Sequence, residues 1–217
     1  TKRLNQFINS ATAFLPTGAW DACGDASLTL EATDQIVLAV DGSFSNDSTA
    51  AVACRLSDKA LFVLGHWERP IDADLSWRVS MDEVEGRIIE ICQNYNVVEV
   101  IFDPFRWQRS MEALAQRGLP VAEMPQTPSR MVPATSGMYD AVVNGKIRHT
   151  GDPRLARHAA NATPYYSRNG MMVRKQAAHS NKKIDLFVSA IMALSRADTL
   201  ATTVAPKAAP AVQFIEL

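Results

Sequence analysis

Three aspartates, Asp41, Asp103 and Asp185, occupy positions where carboxylates can do chemistry. Asp41 ends the apolar run Ile36-Val37-Leu38-Ala39-Val40 and precedes Gly42. Asp103 ends a second run, Val97-Val98-Glu99-Val100-Ile101-Phe102, and precedes Pro104. Asp185 follows Asn181-Lys182-Lys183-Ile184 at the head of a long apolar pattern. Taken singly, each has an ordinary structural reading as a turn or cap residue, since Asp before Gly is a common turn and an acid suits a helix start. Taken together they ask for more. A carboxylate beside a buried strand is costly unless a cation pairs with it, and several without a cation would repel one another and raise their own pKa values. Oxygen-only ligands suit hard cations, Mg²⁺ or Mn²⁺, and no Cys or His cluster in the sequence suggests zinc. Asp47, in the turn after Asp41, is a possible fourth ligand. Two such ions about 3.5–4 Å apart would neutralise the set and serve in-line displacement at phosphorus, one activating water and the other stabilising the leaving 3′ oxygen.

The elements that must position these acids follow from periodicity. Ile36–Val40 reads as a strand buried on both faces. Ala50–Leu56 and Ala60–Trp67 read as its antiparallel continuation, with Ser57-Asp58-Lys59 as the second turn and Arg69-Pro70 ending the third strand. Val79–Tyr95 is helical, with Val84, Ile88, Ile91 and Tyr95 on one stripe. The strand Val97–Phe102 after it makes a strand–helix–strand unit, which implies a parallel pair with a right-handed crossover. Asp41 and Asp103 then share the carboxyl edge of one sheet, where open α/β sheets place ligands. Pro104 begins a helix over Arg106–Arg117. Val121–Met124 is a short strand, Pro125, Pro128 and Pro133 stiffen a loop, and Met138–Val143 is helical. Pro153–Ala160 is a short helix. Tyr165–Ser167 and Met171–Val173 flank Arg168-Asn169-Gly170, a strong hairpin signal. Ile184, Phe187, Val188, Ile191 and Leu194 have helical spacing, so a last helix packs on the sheet with Asp185 in its first turn.

Composition bounds the rest. The chain has 217 residues, 47% hydrophobic and 21% charged, enough for one domain with a sizeable core. No apolar run reaches bilayer length, and no signal-peptide core follows Thr1-Lys2-Arg3. Cys23, Cys54 and Cys92 read as reduced core thiols. The net charge is −1, but residues 145–184 carry Lys146, Arg148, Arg154, Arg157, Arg168, Arg174, Lys175, Lys182 and Lys183 against the single acid Asp152. Such a basic third suits one face that meets a polyanion; a solvated surface is the plainer reading. Arg168, Arg174 and Lys175 sit on the hairpin and would contact such a polyanion. Arg106 and Arg109, after the second acid, offer another path, and Lys182 lies just ahead of the third.

AVDGS on a first strand, IFDP after a helical crossover and NKKIDLFVSAIMAL on a closing helix resemble the nuclease domain of tailed-phage terminase large subunits, in the HK97-like branch. The likeness covers roughly residues 30–200, and KKID ahead of an apolar helix is its most specific piece. It implies an α/β, RNase H-like mixed sheet, an antiparallel three-strand meander plus parallel strands, flanked by helices. It implies that Asp41, Asp103 and Asp185 bind Mg²⁺ or Mn²⁺, with two ions expected, and that Asp47 matches an additional acid of some members. Lys183 could orient water or phosphate, or be a solvated lysine. The activity implied is endonucleolytic cleavage of double-stranded viral DNA concatemers during packaging into procapsids, in the host cell cytoplasm. The implied partners are double-stranded DNA and, in the full-length protein, an ATPase domain, the small terminase subunit and the portal, with no membrane. On this reading residues 1–33 are a lead-in from an ATPase domain, 34–200 the nuclease domain and 201–217 a flexible tail. No G-x-x-x-x-G-K-[ST] occurs, so no ATPase activity is expected of this chain. Another RNase H-like nuclease of resolvase or transposase type, or a non-catalytic DNA- or motor-docking module, are the competing readings. An actin-like ATPase would need a second Gly-rich loop where Pro104-Phe105-Arg106 stands.

Overall fold

Alternate residues of the first strand belong to different cores. Ile36, Leu38 and Val40 pack in one cluster, and Val37 and Ala39 in another on the opposite face of the sheet. That is why the run is apolar without alternation. The computed structural model describes residues 13–42, 48–70, 72–74, 76–176 and 182–204. Its order is β1 (Gln35–Gly42), β2 (Ser48–Arg55), β3 (Ala60–Glu68), α1 (Met81–Asn94), β4 (Asn96–Phe102), α2 (Pro104–Gln116), β5 (Val121–Glu123), α3 (Pro128–Val143), β6 (Arg148–His149), α4 (Pro153–Asn161), β7 (Ala162–Ser167), β8 (Gly170–Lys175) and α5 (Asp185–Val204). Six strands form one sheet in the order β5-β4-β1-β2-β3-β6, and β7 and β8 pair separately as a hairpin.

β1 and β3 are antiparallel to β2, while β4 is parallel to β1, β5 to β4 and β6 to β3. The expected meander with parallel strands is therefore present, and β1, β4 and β5 end at the same edge. Val84, Ile88 and Ile91 of α1 and Trp107, Met111 and Leu114 of α2 cover one face. Met131, Ala134 and Met138 of α3 and most of α5 cover the other. Small residues set the depth of that second layer. Ala39 and Ala50 on the sheet, and Ser189, Ala190, Ala193 and Ala197 on α5, are all buried, so helix and sheet approach closely. Ser189 Oγ donates to the Ala50 carbonyl at 3.3 Å. Arg196 of α5 grips Glu99 of β4 through two bonds, at 2.6 and 2.7 Å.

Several boundaries differ from the sequence reading. The proline-stiffened loop is a helix, because Pro128 starts α3 at its first turn, where a missing N–H costs nothing. Pro133 lies inside α3 and removes one backbone bond; Met131, Ala134, Thr135 and Met138, buried on either side of it, hold the turn together. The last helix continues to Val204, beyond the run ending at Ser195. β6, two residues long, carries no periodic signal. Residues 13–33, read as part of a lead-in, contribute Phe14, Leu15, Trp20 and Cys23 to the core. Trp20 stacks on His149 with ring centres 4.3 Å apart and meets Phe187 edge-on. The first part of the lead-in, residues 1–12, and the tail beyond residue 204 lie outside the described residues.

Candidate active site

Odd-numbered positions of β1 face α5, so Asp41, following Val37 and Ala39, is directed to the layer where α5 begins. Asp103 comes directly after β4 and caps α2, its Oδ1 accepting the Phe105 N–H at 3.2 Å. Asp185 opens α5 and is buried. The structure brings all three to one cleft of about 410 Å³, with Gln126, Arg106 and Lys175 also on its walls. Gly42 belongs to β1 rather than to the following turn. Its φ is +145°, and a Cβ there would lie 2.4 Å from the Ser48 carbonyl oxygen, so the close return of β2 beside Asp41 demands glycine.

The acids are held by groups that carry no motif. Gln126 Nε2 donates to Asp41 Oδ1 at 2.6 Å. The Ser48 hydroxyl, at the start of β2, donates to Asp185 Oδ2. The chain entering α5 is gripped from α4: Asn161 Nδ2 donates to the Lys183 carbonyl at 3.0 Å, and the Leu186 N–H donates to His158 Nδ1 at 3.0 Å. His158 and Asn161 are three residues apart and so share a helix face. They satisfy both a carbonyl and a first-turn N–H on either side of Asp185.

Asp41 keeps part of its surface open to the cleft, yet protein surrounds its carboxyl. Lost solvation, then the charge of Asp185, raises its pKa to about 7, against the lowering effect of its bonds from Gln126 and the Gly42 N–H; Asp103 adds a smaller upward push. An oxygen-only set whose members repel one another fits a divalent cation, which would relieve that repulsion.

A second group of metal-ligand types has a different character. Ligand atoms of His66, Glu68 and His158 lie within 4.8 Å of one another. The Leu186 N–H occupies His158 Nδ1, so the neutral ring carries its proton on Nε2. Neither nitrogen then offers a lone pair to a metal, and Glu68 already accepts from Arg157 at 2.5 Å.

A family model described as the terminase large subunit, endonuclease domain, matches residues 67–200. The chain belongs to that family. The match contains Asp103 and Asp185, with Asp41 ahead of it. The gene 13 protein of Mycobacterium phage L5 is 29% identical over 216 residues, covering 88% of this chain and 36% of its own length. The large terminase of bacteriophage HK97 is similar in structure, with a TM-score of 0.71 at 22% identity over 85% of this chain and 43% of that one. The large terminase nuclease of thermophilic phage G20c with bound magnesium has a TM-score of 0.61 at 14% identity, covering 85% of this chain and 97% of that one. The chain thus spans well under half the length of the curated relatives it matches, and its fold is the RNase H-like fold of terminase nucleases.

The other sequence candidates are dispersed in this terminase nuclease fold. Asp47 lies outside the described residues. Lys183 is half-buried and does not line the cleft; Lys182 is exposed and donates to Gln176 at 3.1 Å. Arg106 lines the cleft, whereas Arg109, one turn later on α2, is exposed and outside it. On the hairpin, Lys175 is the one of the three cations that lines the cleft. Strand alternation turns Arg174 to the opposite face, its guanidinium 4.9 Å from the centre of the Tyr165 ring, and Arg168 is exposed at the turn. Gln126, Ser48, His158 and Asn161 do not stand out in the sequence. Only Gln126 has a signal there: it follows the third parallel strand at the edge where the acids gather.

Proposed function

We propose that this chain is a divalent-metal-dependent endonuclease that hydrolyses phosphodiester bonds of double-stranded DNA. The observation that carries the reading is the meeting of Asp41, Asp103 and Asp185, from three separate elements, in one cleft that also presents Arg106 and Lys175. Asp41, Asp103 and Asp185 would hold Mg²⁺ or Mn²⁺, two ions being expected, and the magnesium bound by the G20c nuclease supports this. When bound, such ions supply charge that activates water and stabilises the leaving 3′ oxygen.

The chain's own residues orient and charge this set. Gln126 fixes the Asp41 carboxylate and favours its ionised form. The Ser48 hydroxyl fixes the orientation of Asp185, and the α4 grip on residues 183–186 holds the head of α5 against the sheet. Arg106 and Lys175, both lining the cleft, would bind phosphates flanking the scissile bond, which gives affinity without base selection. In a longer protein the substrate would be concatemeric phage DNA, with an ATPase domain, a small terminase subunit and a portal as partners.

The test is plasmid cleavage with Mg²⁺ or Mn²⁺. Asp41→Asn, Asp103→Asn and Asp185→Asn should each lose more than the roughly 10–100-fold expected for removing an outer-shell partner. Ca²⁺ should support cutting poorly, because it prefers more ligands at longer distances. Full activity in EDTA, or normal cutting by all three variants, would sink the proposal.

A further inference from the structure

A second cleft adjoins the first and shares Asp103, Phe105 and Gln126 with it. It is formed by Asp103, Pro104, Phe105, Gln108, Pro125, Gln126 and Thr127, with a volume of about 570 Å³. Phe105 also lines the cleft of the three acids. Its side chain is 83% exposed, whereas Trp107, two residues on, is 1% exposed. This exposure is imposed rather than frayed. Pro104 starts α2, the Phe105 N–H is held by Asp103 at 3.2 Å, and the helix turns Trp107 into the core while presenting Phe105 outward.

We propose that the second cleft is a nucleobase pocket in which Phe105 stacks on a base unstacked beside the scissile phosphate. The inference rests on the nuclease reading. The pocket's lining suits a base: Phe105, Pro104 and Pro125 give it apolar surface, and Gln108, whose amide N–H donates to Glu112, and Thr127, whose hydroxyl pairs with that of Ser129, add polar groups. Charge complementarity supports a nucleotide over a protein segment, because Arg106 stands beside Phe105 on the wall of the first cleft and suits the attached phosphate. A duplex presents its bases stacked. Where the duplex opens beside the site, an aromatic platform offsets the cost of unstacking a base. Base–aromatic stacking accepts any base, so such a pocket adds affinity without sequence choice.

The test compares two labelled duplexes of one sequence, one intact and one with a single abasic residue, cut in Mn²⁺ by this chain and its variants. Phe105→Ala should slow cutting of the intact duplex by about 10–100-fold, the range for losing one base–aromatic stack. Phe105→Trp should keep most of the activity. At phosphates flanking the abasic residue there is no base to stack, and the loss in Phe105→Ala should be much smaller. Cutting of the intact duplex by Phe105→Ala at the wild-type rate would overturn the pocket, as expected if the ring docks a protein instead. So would an equal loss at abasic and intact positions, which would mean that Phe105 acts on Asp103 or the fold. A wild-type chain that cuts neither duplex would remove the nuclease reading and this inference together, whereas an indifferent Phe105→Ala in an active chain removes the inference alone.

Discussion

Gln126 donates to Asp41 at 2.6 Å across 85 residues of sequence. The bond joins the loop after β5 to the end of β1, on the far side of β4. It favours the ionised carboxylate, opposing burial and the charge of Asp185. Gln126→Ala should therefore raise the Asp41 pKa above its present value of about 7. Mn²⁺ binding followed by calorimetry at pH 6.5 should weaken by about tenfold, the size of a lost hydrogen bond to a charged group, and should largely recover by pH 8.5. A loss independent of pH would show that Gln126 acts in some other way.

The raised pKa of Asp41 also sets a stability profile for the metal-free chain. Because the folded pKa of about 7 lies above the ordinary carboxylate value, the native state binds the proton more tightly than the unfolded state. The contribution is fully present below about pH 4 and is lost as pH rises toward and through about 7. In EDTA, Tm should fall over that interval more in the wild type than in Asp41→Asn, and at pH 8 the variant should be the more stable by about 1–3 kcal/mol. Saturating Mg²⁺ should reverse that order, since only the wild type gains a bound ion. An Asp41→Asn chain less stable than wild type at pH 8 in EDTA would count against like-charge strain in this cleft.

The contact between His158 and Leu186 makes a separate prediction. His158 accepts a first-turn N–H of the helix that carries Asp185. His158→Leu leaves that donor unpaired in the core and should cost about 1–3 kcal/mol of stability. It should also weaken metal binding, because the head of α5 loses an anchor. His158→Asn retains an acceptor and should recover part of the metal affinity. Calorimetric Kd values for Mn²⁺, set beside Tm for both variants, separate a positioning role from a purely structural one: equal Kd values with unequal Tm values would reject positioning.

Much of this architecture is legible in the sequence because its signals are local. Apolar runs ending in an acid mark β1 and β4, and a helical stripe opening on Asp185 marks α5. Parallel crossover logic then places Asp41 and Asp103 at one edge. What sequence does not expose depends on distant geometry. Ser48, His158 and Asn161 touch residues 137, 28 and 22 positions away, and each is an ordinary polar residue in its own neighbourhood. α3 is hidden for a different reason: Pro133 reads as a breaker, yet buried Met131, Ala134 and Met138 outweigh the backbone bond it removes. The hairpin announces itself through Asn169-Gly170, but its three cations look like one group in the sequence, although strand alternation separates Arg174 from Lys175.

That separation decides which hairpin residue should matter most for DNA. Lys175 lines the cleft of the acids, whereas Arg174 lies over Tyr165 on the other face and Arg168 is exposed at the turn. The hairpin is held in place at Gly170, whose φ is +128° and where a Cβ would lie 2.7 Å from Val132 Cγ1 of α3. A phosphate reaching the acids would therefore meet Lys175 before the other two. Lys175→Ala should weaken duplex binding uniformly across sequences and lower the slope of log K against log salt by about 0.9, the value for one phosphate contact. Arg174→Ala and Arg168→Ala should change affinity and slope less. Filter binding from about 50 to 200 mM salt, in EDTA to prevent cutting, gives all three slopes. An unchanged slope for Lys175→Ala beside a reduced one for Arg174→Ala would move the DNA to the opposite face of the hairpin.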